Sequence, residues 1–179
     1  MTSSSHSRIG ALLKEKAIIR LDIGCGASKQ GRDWVGMDIR PGPGVDIVHD
    51  WNDYPWPLPD ESVTVAVASH VVEHVNPADG GFLRWMDELW RVMRVDGQVA
   101  IVTPHGSSQG YLQDPTHCNP CNEWTWAYFD PLETQIHGAY YRIYRPKPWR
   151  IEGRVMFDPT GSIEVVLAKR RDDRSYYAE

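Results

Sequence analysis

The chain has 179 residues, 41% of them hydrophobic and 24% charged, with a net charge of −5. These values are ordinary for a globular protein and leave room for one domain with a sizeable core. No apolar run is long enough to span a bilayer and no signal peptide is visible, so we expect no membrane association and a cytoplasmic location. The odd number of cysteines, three, argues against a disulfide framework.

Charge is distributed unevenly along the chain. Residues 1–141 carry a net charge of −8 and residues 142–179 a net charge of +3. The acidic body argues against tight binding to nucleic acid, because such affinity depends on contacts to phosphates. We interpret the basic end as a solvated surface, with a patch for a phosphate-bearing substrate as the less favoured alternative.

Residues 1–16 begin with the polar stretch MTSSSHS and are predicted to form a flexible tail, followed by one domain over residues 17–179. Five short apolar segments of this domain are typical of buried strands. The fourth is rich in valine and alanine on both faces, which predicts a central strand covered on both sides. In chain order the segments are AIIRLDI from residue 17, DWVGMDI (33–39), VDIVHD (45–50), SVTVAVAS (62–69) and QVAIVTP (98–104).

A helix is predicted between the fourth and fifth strands, and Gly97 lies where it would end. A strand, a helix and a further strand in this order predict a parallel crossover. The helix is indicated by apolar residues at helical spacing, namely Phe82, Met86, Leu89, Trp90 and Met93.

The end of the chain and one short gap complete the fold prediction. Residues 149–158 and 162–170 flank a Pro-Thr-Gly turn and predict an antiparallel hairpin. Only ASKQGR separates the first strand's GCG turn from the second strand, too few residues for a crossover helix, so the first helix is reduced or absent. The sequence therefore predicts an open, mostly parallel α/β sheet that ends in antiparallel strands and binds ligands at the carboxyl ends of its parallel strands.

The segment LDIGCGASKQ places two glycines directly after the first strand. Gly24 and Gly26 allow a sharp turn and a close approach of the backbone to a ligand. Asp38 ends the second strand, where nucleotide-binding α/β folds carry an acidic residue that accepts from ribose hydroxyls. Asp50 and Trp51 end the third, and a carboxylate and an indole there suit an exocyclic amine and a purine ring. Together these residues predict a nucleoside site.

Five segments in this order and spacing resemble class I S-adenosylmethionine (SAM)-dependent methyltransferases, most closely a compact branch with the same short gap after the glycine turn. The similarity extends from about residue 18 to 105 and continues weakly into YLQDPTHCNP. Two features depart from the family pattern: Ser28 replaces a frequent third glycine, and VDG (95–97) replaces the commoner Pro-Gly-Gly. The segments are LDIGCG, WVGMDI, VDIVHDW, WPLPDESVTVAVASHVVEHV and ELWRVMRVDGQVAIVTP.

The resemblance implies a Rossmann-like α/β sheet, SAM as the cofactor and a role for each matching residue. Asp22, Gly24 and Gly26, with Cys25 between the glycines, would line the methionine end of SAM. Asp38, followed by Ile39, would accept from the ribose hydroxyls. Asp50 would accept from the adenine amine with Trp51 beside the ring, and Ser69 and His70 would face the sulfonium.

Residues 70–74, HVVEH, match a pattern of zinc peptidases in which two histidines and a glutamate act on one long helix. Here the motif follows a valine-rich strand and is cut short by Asn76-Pro77, and a peptidase leaves the glycine turn and the acidic strand ends unexplained. We therefore interpret it as the point where the fourth strand reaches the substrate side of a cleft. His74 is the first candidate general base, ahead of His117 and His105, although a hydrogen bond to a neighbouring loop is an equally good explanation of His74.

The stretch THCNPC (116–121) has the spacing of metal ligands, since Cys118 and Cys121 adjoin His117, and His105 or His137 would complete four. A structural zinc site usually shows two such pairs, so we expect reduced thiols and no bound metal. The alternative is that Asp114-Pro-Thr-His117 forms a loop over the cleft that contacts the substrate, as the resemblance implies. The aromatic stretch WTWAYF (124–129) is interpreted as core in preference to a lid.

The predicted function is SAM-dependent methyl transfer to an O, N or C atom of a small molecule, sugar or lipid precursor. The acceptor would be selected by residues 104–148, where the resemblance is weakest. Two alternatives remain open: a metal-dependent hydrolase that uses His70, Glu73 and His74, and a non-catalytic interaction module that keeps the methyltransferase fold. The sequence indicates neither the acceptor nor the oligomeric state.

Overall fold

The computed structural model describes residues 18–133, 143–152, 156–157 and 161–177, so the predicted tail over residues 1–16 lies outside the described residues. Among the described residues, no helix is long and apolar enough to cross a membrane. The strands are β1 (Ile19–Ile23), β2 (Val35–Asp38), β3 (Ile47–Val48), β4 (Val63–Ser69), β5 (Met93–Pro104), β6 (Trp149–Ile151), β7 (Met156–Phe157) and β8 (Ser162–Lys169). The α-helices are α1 (Gly81–Val92), α2 (Gln109–Leu112) and α3 (Glu123–Ala127), and one-turn 3-10 helices span Val72–His74, Ala78–Gly80 and Arg174–Tyr177.

The strands form one open sheet in the order β3-β2-β1-β4-β5-β8-β6, with β7 also paired to β8. Strands β1 to β5 pair with one another in parallel, whereas β8 is antiparallel to β5, β6 and β7. This confirms the predicted Rossmann-like sheet, which is mostly parallel and ends in antiparallel strands. It also brings the carboxyl ends of β1 to β4 to one edge of the sheet.

The segment between β1 and β2 contains no helix, as the short gap predicts, and polar contacts hold it in place. The Asp22 carboxylate accepts a hydrogen bond from the Gln30 amide at 2.8 Å, which folds the segment back over β1. Lys29 forms an ion pair with Asp46, whose carboxylate also accepts from the Gly36 amide of β2. These contacts fix the glycine turn where a crossover helix would otherwise do so.

The crossover from β4 to β5 is parallel, but its helix ends earlier than predicted. Helix α1 stops at Val92, and Met93 already pairs with Val63 in the sheet. The pairing register then shifts before Gln98 because of a bulge, in which Asp96 has a φ of 61°. Gly97 therefore belongs to a bulged strand, where a β-carbon would lie 2.8 Å from the Arg94 carbonyl oxygen.

Two further strand predictions are only partly correct. The third strand was expected over residues 45–50 but comprises Ile47 and Val48, although the amides of Asp46 and His49 on either side still donate to carbonyl oxygens of β2. The central strand β4 buries Ala66 and Ala68 on one face, yet Val65 on its other face is 37% exposed to solvent. Among the described residues, no crossover helix between β1 and β2 covers that face.

Large aromatic side chains fill the core between the sheet and α1. Trp85 packs edge-to-face against Trp56 at a ring-centroid distance of 5.9 Å. The stretch WTWAYF contributes Trp126 and Phe129, both buried against Phe82, as its interpretation as core predicts. Trp124 from the same helix is 51% exposed. Asn122 is the N-cap of helix α3, and its side chain accepts from the Thr125 amide in a capping box.

Trp126→Ala should lower the free energy of unfolding by about 3–5 kcal/mol, because it opens a cavity in the core. Trp124→Ala, two residues earlier on the same helix, should cost less than about 1 kcal/mol because its side chain is half exposed. Urea denaturation of both variants measures the difference. Equal destabilisation would contradict the assignment of Trp126 to the core.

Candidate functional site

A cleft of about 700 Å³ lies at the carboxyl ends of the first four strands. Each strand contributes residues that follow its last paired position, because parallel strands end at the same edge of the sheet. The cleft is lined by Gly26, Ala27, Asp38, Ile39, Arg40, Pro41, Gly42, Pro43, Trp51, His74 and Thr116.

The glycine turn after β1 is anchored to β2 by the Gly24 amide, which donates to the Met37 carbonyl at 2.8 Å. Gly24 has a φ of 67°, and a β-carbon there would lie 2.3 Å from Val71 Cγ2. Gly26 has a φ of 56°, but its β-carbon position is open space on the cleft side. Gly24 is thus required for packing, whereas Gly26 exposes the backbone to a ligand.

Asp38 lies at the end of β2 and lines the cleft, as predicted. Its Oδ2 accepts from the Gly26 amide at 2.9 Å, and its Oδ1 accepts from the Arg40 amide at 3.0 Å. Each carboxylate oxygen has a second lone pair, so the side chain retains acceptor capacity towards the cleft. The carboxylate therefore ties the glycine turn to the second strand end while facing the ligand space.

Asp22 and Cys25 lie beneath the turn and are not among the residues that line the cleft. Asp22 is 4% exposed, and its burial raises the pKa of its carboxyl group against the opposing effects of the Gln30 amide and Lys29. The Cys25 thiol is also buried, facing the Gly44 carbonyl oxygen at 3.5 Å. Both residues support the turn from below.

Trp51 follows β3, lines the cleft and has a buried indole N–H that no other described residue accepts. The neighbouring Asp50 is not among the cleft-lining residues, and its Oδ1 accepts from the amide and side chain of Asn52. The structure thus places Trp51, and not Asp50, in the cleft wall.

Ser69 and His70 end β4 outside the set of cleft-lining residues. His70 has a φ of 55°, and its amide still donates to the Val102 carbonyl of β5 at 2.8 Å. This left-handed residue ends the strand and starts the single turn Val72–His74. HVVEH therefore lies on no α-helix, and the geometry of a zinc-peptidase helix is absent from these five residues.

The side chain of Glu73 is 1% exposed and is held from two elements. Its Oε2 accepts from the Thr103 hydroxyl of β5 at 3.1 Å, and its Oε1 lies 3.2 Å from His70 Nδ1. Its backbone carbonyl accepts from the amides of Cys118 and Asn119 at 2.8 and 3.1 Å. Glu73 thereby attaches the Asp114–Asn119 loop to the ends of β4 and β5.

The three candidate histidines occupy two places. His74 lines the cleft and packs edge-to-face against His117, with 4.8 Å between their ring centroids. His117 does not line the cleft, and its Nδ1 contacts the Tyr111 carbonyl oxygen at 2.9 Å. His105 lies apart from both, with Nδ1 accepting from the Ser107 amide and Nε2 lying 3.3 Å from a Glu123 carboxylate oxygen. Only His74 reaches the cleft.

The structure separates the two cysteines of THCNPC by exposure, since Cys118 is exposed and Cys121 is buried. Neither belongs to the one group of potential metal ligands found among the described residues, and His137 lies outside those residues. Burial and the charge of Glu73 raise the pKa of the Cys121 thiol to about 12. Burial and the nearby aspartates raise that of Cys25 to about 11.

Several cleft residues were not predicted from the sequence. Residues 40–43 follow Asp38 as Arg-Pro-Gly-Pro and form one wall, and Thr116 lies beside His74. A proline- and glycine-rich loop directly after a strand end with a candidate ribose-binding aspartate was the available signal for residues 40–43. Thr116 belongs to the Asp114–His117 stretch that was considered as a loop over the cleft, but no local pattern indicated its contact with His74.

At pH 7 to 8 only Cys118 should react quickly with a thiol reagent, because a raised pKa leaves Cys25 and Cys121 almost entirely protonated. We expect one fast equivalent per chain in the native protein and three after denaturation. Cys118→Ser should remove the fast phase. A fast second equivalent in native Cys118→Ser protein would contradict the burial of the other two thiols.

No protein-family model and no curated protein sequence matches the chain. Solved structures do match it. A SAM-dependent methyltransferase from Archaeoglobus fulgidus is 18% identical with a TM-score of 0.57, over 93% of this chain and 95% of that one. One from Methanosarcina mazei is 15% identical with a TM-score of 0.53, over 84% and 92%.

A third match is the 1,6-didemethyltoxoflavin-N1-methyltransferase of Burkholderia thailandensis, whose structure contains its acceptor and S-adenosylhomocysteine (SAH). It is 12% identical with a TM-score of 0.57, over 94% of this chain and 80% of that one. At these identities the likeness shows the fold alone. The chain has the fold of class I SAM-dependent methyltransferases, as the sequence resemblance predicts.

Proposed function

We propose that this protein is a SAM-dependent methyltransferase that acts on a small-molecule acceptor. The observation that carries the proposal is the cleft at the carboxyl ends of β1 to β4, where Gly26, Asp38 and Trp51 come together in a methyltransferase fold. Three strand ends that are far apart in sequence supply the backbone, carboxylate and ring that a nucleoside requires.

The cleft fits SAM in size and in chemistry. Its volume of about 700 Å³ lies within the range of small-molecule and cofactor sites. Asp38 has acceptor capacity for ribose hydroxyls, and Trp51 offers a ring to the adenine. Gly26 lets the backbone approach the methionine portion, while Asp22 and Cys25 act by supporting the turn.

The predicted role of Asp50 changes in this proposal. Its Oδ1 is engaged by Asn52, which orients the carboxylate at the border of the cleft. It would contact the adenine amine only through its second oxygen. Ile39, exposed at 45% and lining the cleft, supplies apolar surface for the nucleoside.

When bound, SAM supplies a methyl group on a positively charged sulfonium, which is already a good leaving group. The protein's own contribution is then to align the acceptor with that methyl group and to exclude water. His74 is the histidine placed to contact the acceptor, because it alone of the three candidates lines the cleft. Ser69 and His70 end β4 next to this position, and residues 104–148 are proposed to select the acceptor.

Asp38→Asn should weaken the binding of SAH by about 10- to 100-fold, because it removes a charged acceptor from the ribose. Asp33→Asn is the matched control, since Asp33 precedes the same strand and pairs with Arg20 on the surface. Isothermal titration calorimetry with SAH measures both variants. We expect the control to bind as the unmodified protein does.

Absence of SAH binding to the unmodified protein at millimolar ligand would overturn the proposal. Transfer of a labelled methyl group from SAM to a panel of hydroxyl, amine and carbon acceptors tests the reaction itself. SAH binding with no transfer to any acceptor class would instead favour the non-catalytic interaction module.

A further inference from the structure

Beside the cleft, one potential ligand atom from each of Glu73, His74 and His117 lies within 4.8 Å of the other two. Two of these residues come from HVVEH and the third from the loop 43 residues later. His70 and Cys118, which the sequence patterns placed in possible metal sites, are not in this group. The group of potential ligands in the structure therefore differs from the one that HVVEH suggested and from the one that THCNPC suggested.

The hydrogen bonds of His74 fix which of its nitrogens can bind a metal. Thr116 Oγ1 lies 2.7 Å from Asp114 Oδ1, and a carboxylate oxygen only accepts, so the single Thr116 hydroxyl proton points to Asp114. Thr116 Oγ1 must then accept from His74 Nδ1, 3.2 Å away. The neutral His74 ring therefore carries its proton on Nδ1 and its lone pair on Nε2.

His117 is held in a similar way. Its Nδ1 lies 2.9 Å from the Tyr111 carbonyl oxygen, which can only accept, so in the neutral ring Nδ1 carries the proton and Nε2 the lone pair. Metal-binding histidines characteristically donate their second nitrogen to a carbonyl or carboxylate in this way. In both neutral rings Nε2 is thus the nitrogen that remains free to bind a metal.

Glu73 supplies the charge. Its carboxylate is buried, and its hydrogen bonds from Thr103 and His70 use one lone pair on each oxygen. The second lone pair of each oxygen remains available. An anionic carboxylate beside two neutral imidazoles is a donor set suited to a divalent transition metal such as zinc, and less suited to magnesium or calcium.

We propose that Glu73, His74 and His117 bind one divalent ion of the zinc type at the edge of the cofactor cleft. Ligand atoms on a tetrahedral zinc are about 3.4 Å apart, so displacements of about 1.5 Å or less bring the three onto one ion. The fourth position is open to Asp114, whose Oδ2 lies 3.7 Å from His117 Nε2, or to an external oxygen. This proposal replaces the expectation of no metal drawn from the sequence.

The position gives the ion a function that rests on the proposed methyl transfer. His74 belongs both to the ligand group and to the cleft wall. An acceptor hydroxyl that binds at the open position would lose its proton more easily, because a metal lowers the pKa of a bound hydroxyl. In the loaded protein the ion, and not His74 as a base, then prepares the acceptor oxygen.

Metal binding is tested on the full-length protein after dialysis against a chelator, by calorimetry with Zn²⁺ and by the visible spectrum with Co²⁺. We expect one ion per chain, and at least about 100-fold weaker binding for His74→Ala and His117→Ala. His49→Ala is the matched control, since the His49 imidazole lies outside the ligand group and contacts the Asp53 carbonyl oxygen. Mg²⁺ at the same concentration should give no heat.

Two further variants keep the test independent of folding. Thr116→Val removes the acceptor that orients His74 and should weaken Zn²⁺ binding about 10-fold without touching a ligand. Cys118→Ser should leave binding unchanged, and the Co²⁺ spectrum should show no thiolate charge-transfer band.

No stoichiometric Zn²⁺ or Co²⁺ binding to the unmodified protein would overturn the proposal. Loss of binding in Cys118→Ser with retention in His74→Ala would also overturn it, since the site would then be the cysteine motif. SAH binding is measured separately in the same chelator-treated protein. Failure of the metal site is thereby distinguished from failure of the cofactor cleft.

Discussion

The buried carboxylate of Glu73 is the constraint on which the substrate side of the site depends. A carboxylate that is 1% exposed must be paired, and Thr103 and His70 supply the partners. The same residue's carbonyl accepts from two consecutive amides of the 114–119 loop, and the Asn119 side chain donates to the Val72 carbonyl. Moving Glu73 would therefore displace the end of β4, the end of β5 and the loop that carries His117. The requirement to pair its charge fixes the ends of β4 and β5, and its backbone carbonyl fixes the loop.

On the cofactor side, the absent first helix creates a different requirement. A crossover helix normally positions the glycine turn through its own packing, but here the turn is held by Asp22 from below and by Asp38 and Asp46 from the neighbouring strand region. Each of these carboxylates accepts at least one backbone N–H. SAM carries no phosphate, so a nucleoside cleft of this kind does not need the positive pole of a helix. The absence of the first helix is thus compatible with SAM as the proposed cofactor.

The parts of this structure that were predictable from sequence are those that local patterns specify. Alternating or continuous apolar segments located β1, β2, β4 and β8, and the six-residue gap predicted the missing helix. One error came from an interaction that is distant in sequence. The end of α1 at Val92 depends on Met93 pairing with Val63. Among the site residues, Asp38 and Trp51 line the cleft because they follow strand ends, whereas the position of Asp50 depends on its contact with Asn52.

HVVEH shows why spacing alone cannot assign a site. On an α-helix, residues four apart face the same direction, and both histidines would serve as ligands. Here the left-handed backbone of His70 and the single turn after it place His70 behind Glu73 as a hydrogen-bonding partner, while His74 faces the cleft. The partner that completes the group is His117, brought in by a loop that Glu73 itself anchors through its carbonyl. The glutamate thus contributes a carboxylate to the cluster with its side chain and positions another member with its backbone, a double role that no pattern of five residues encodes.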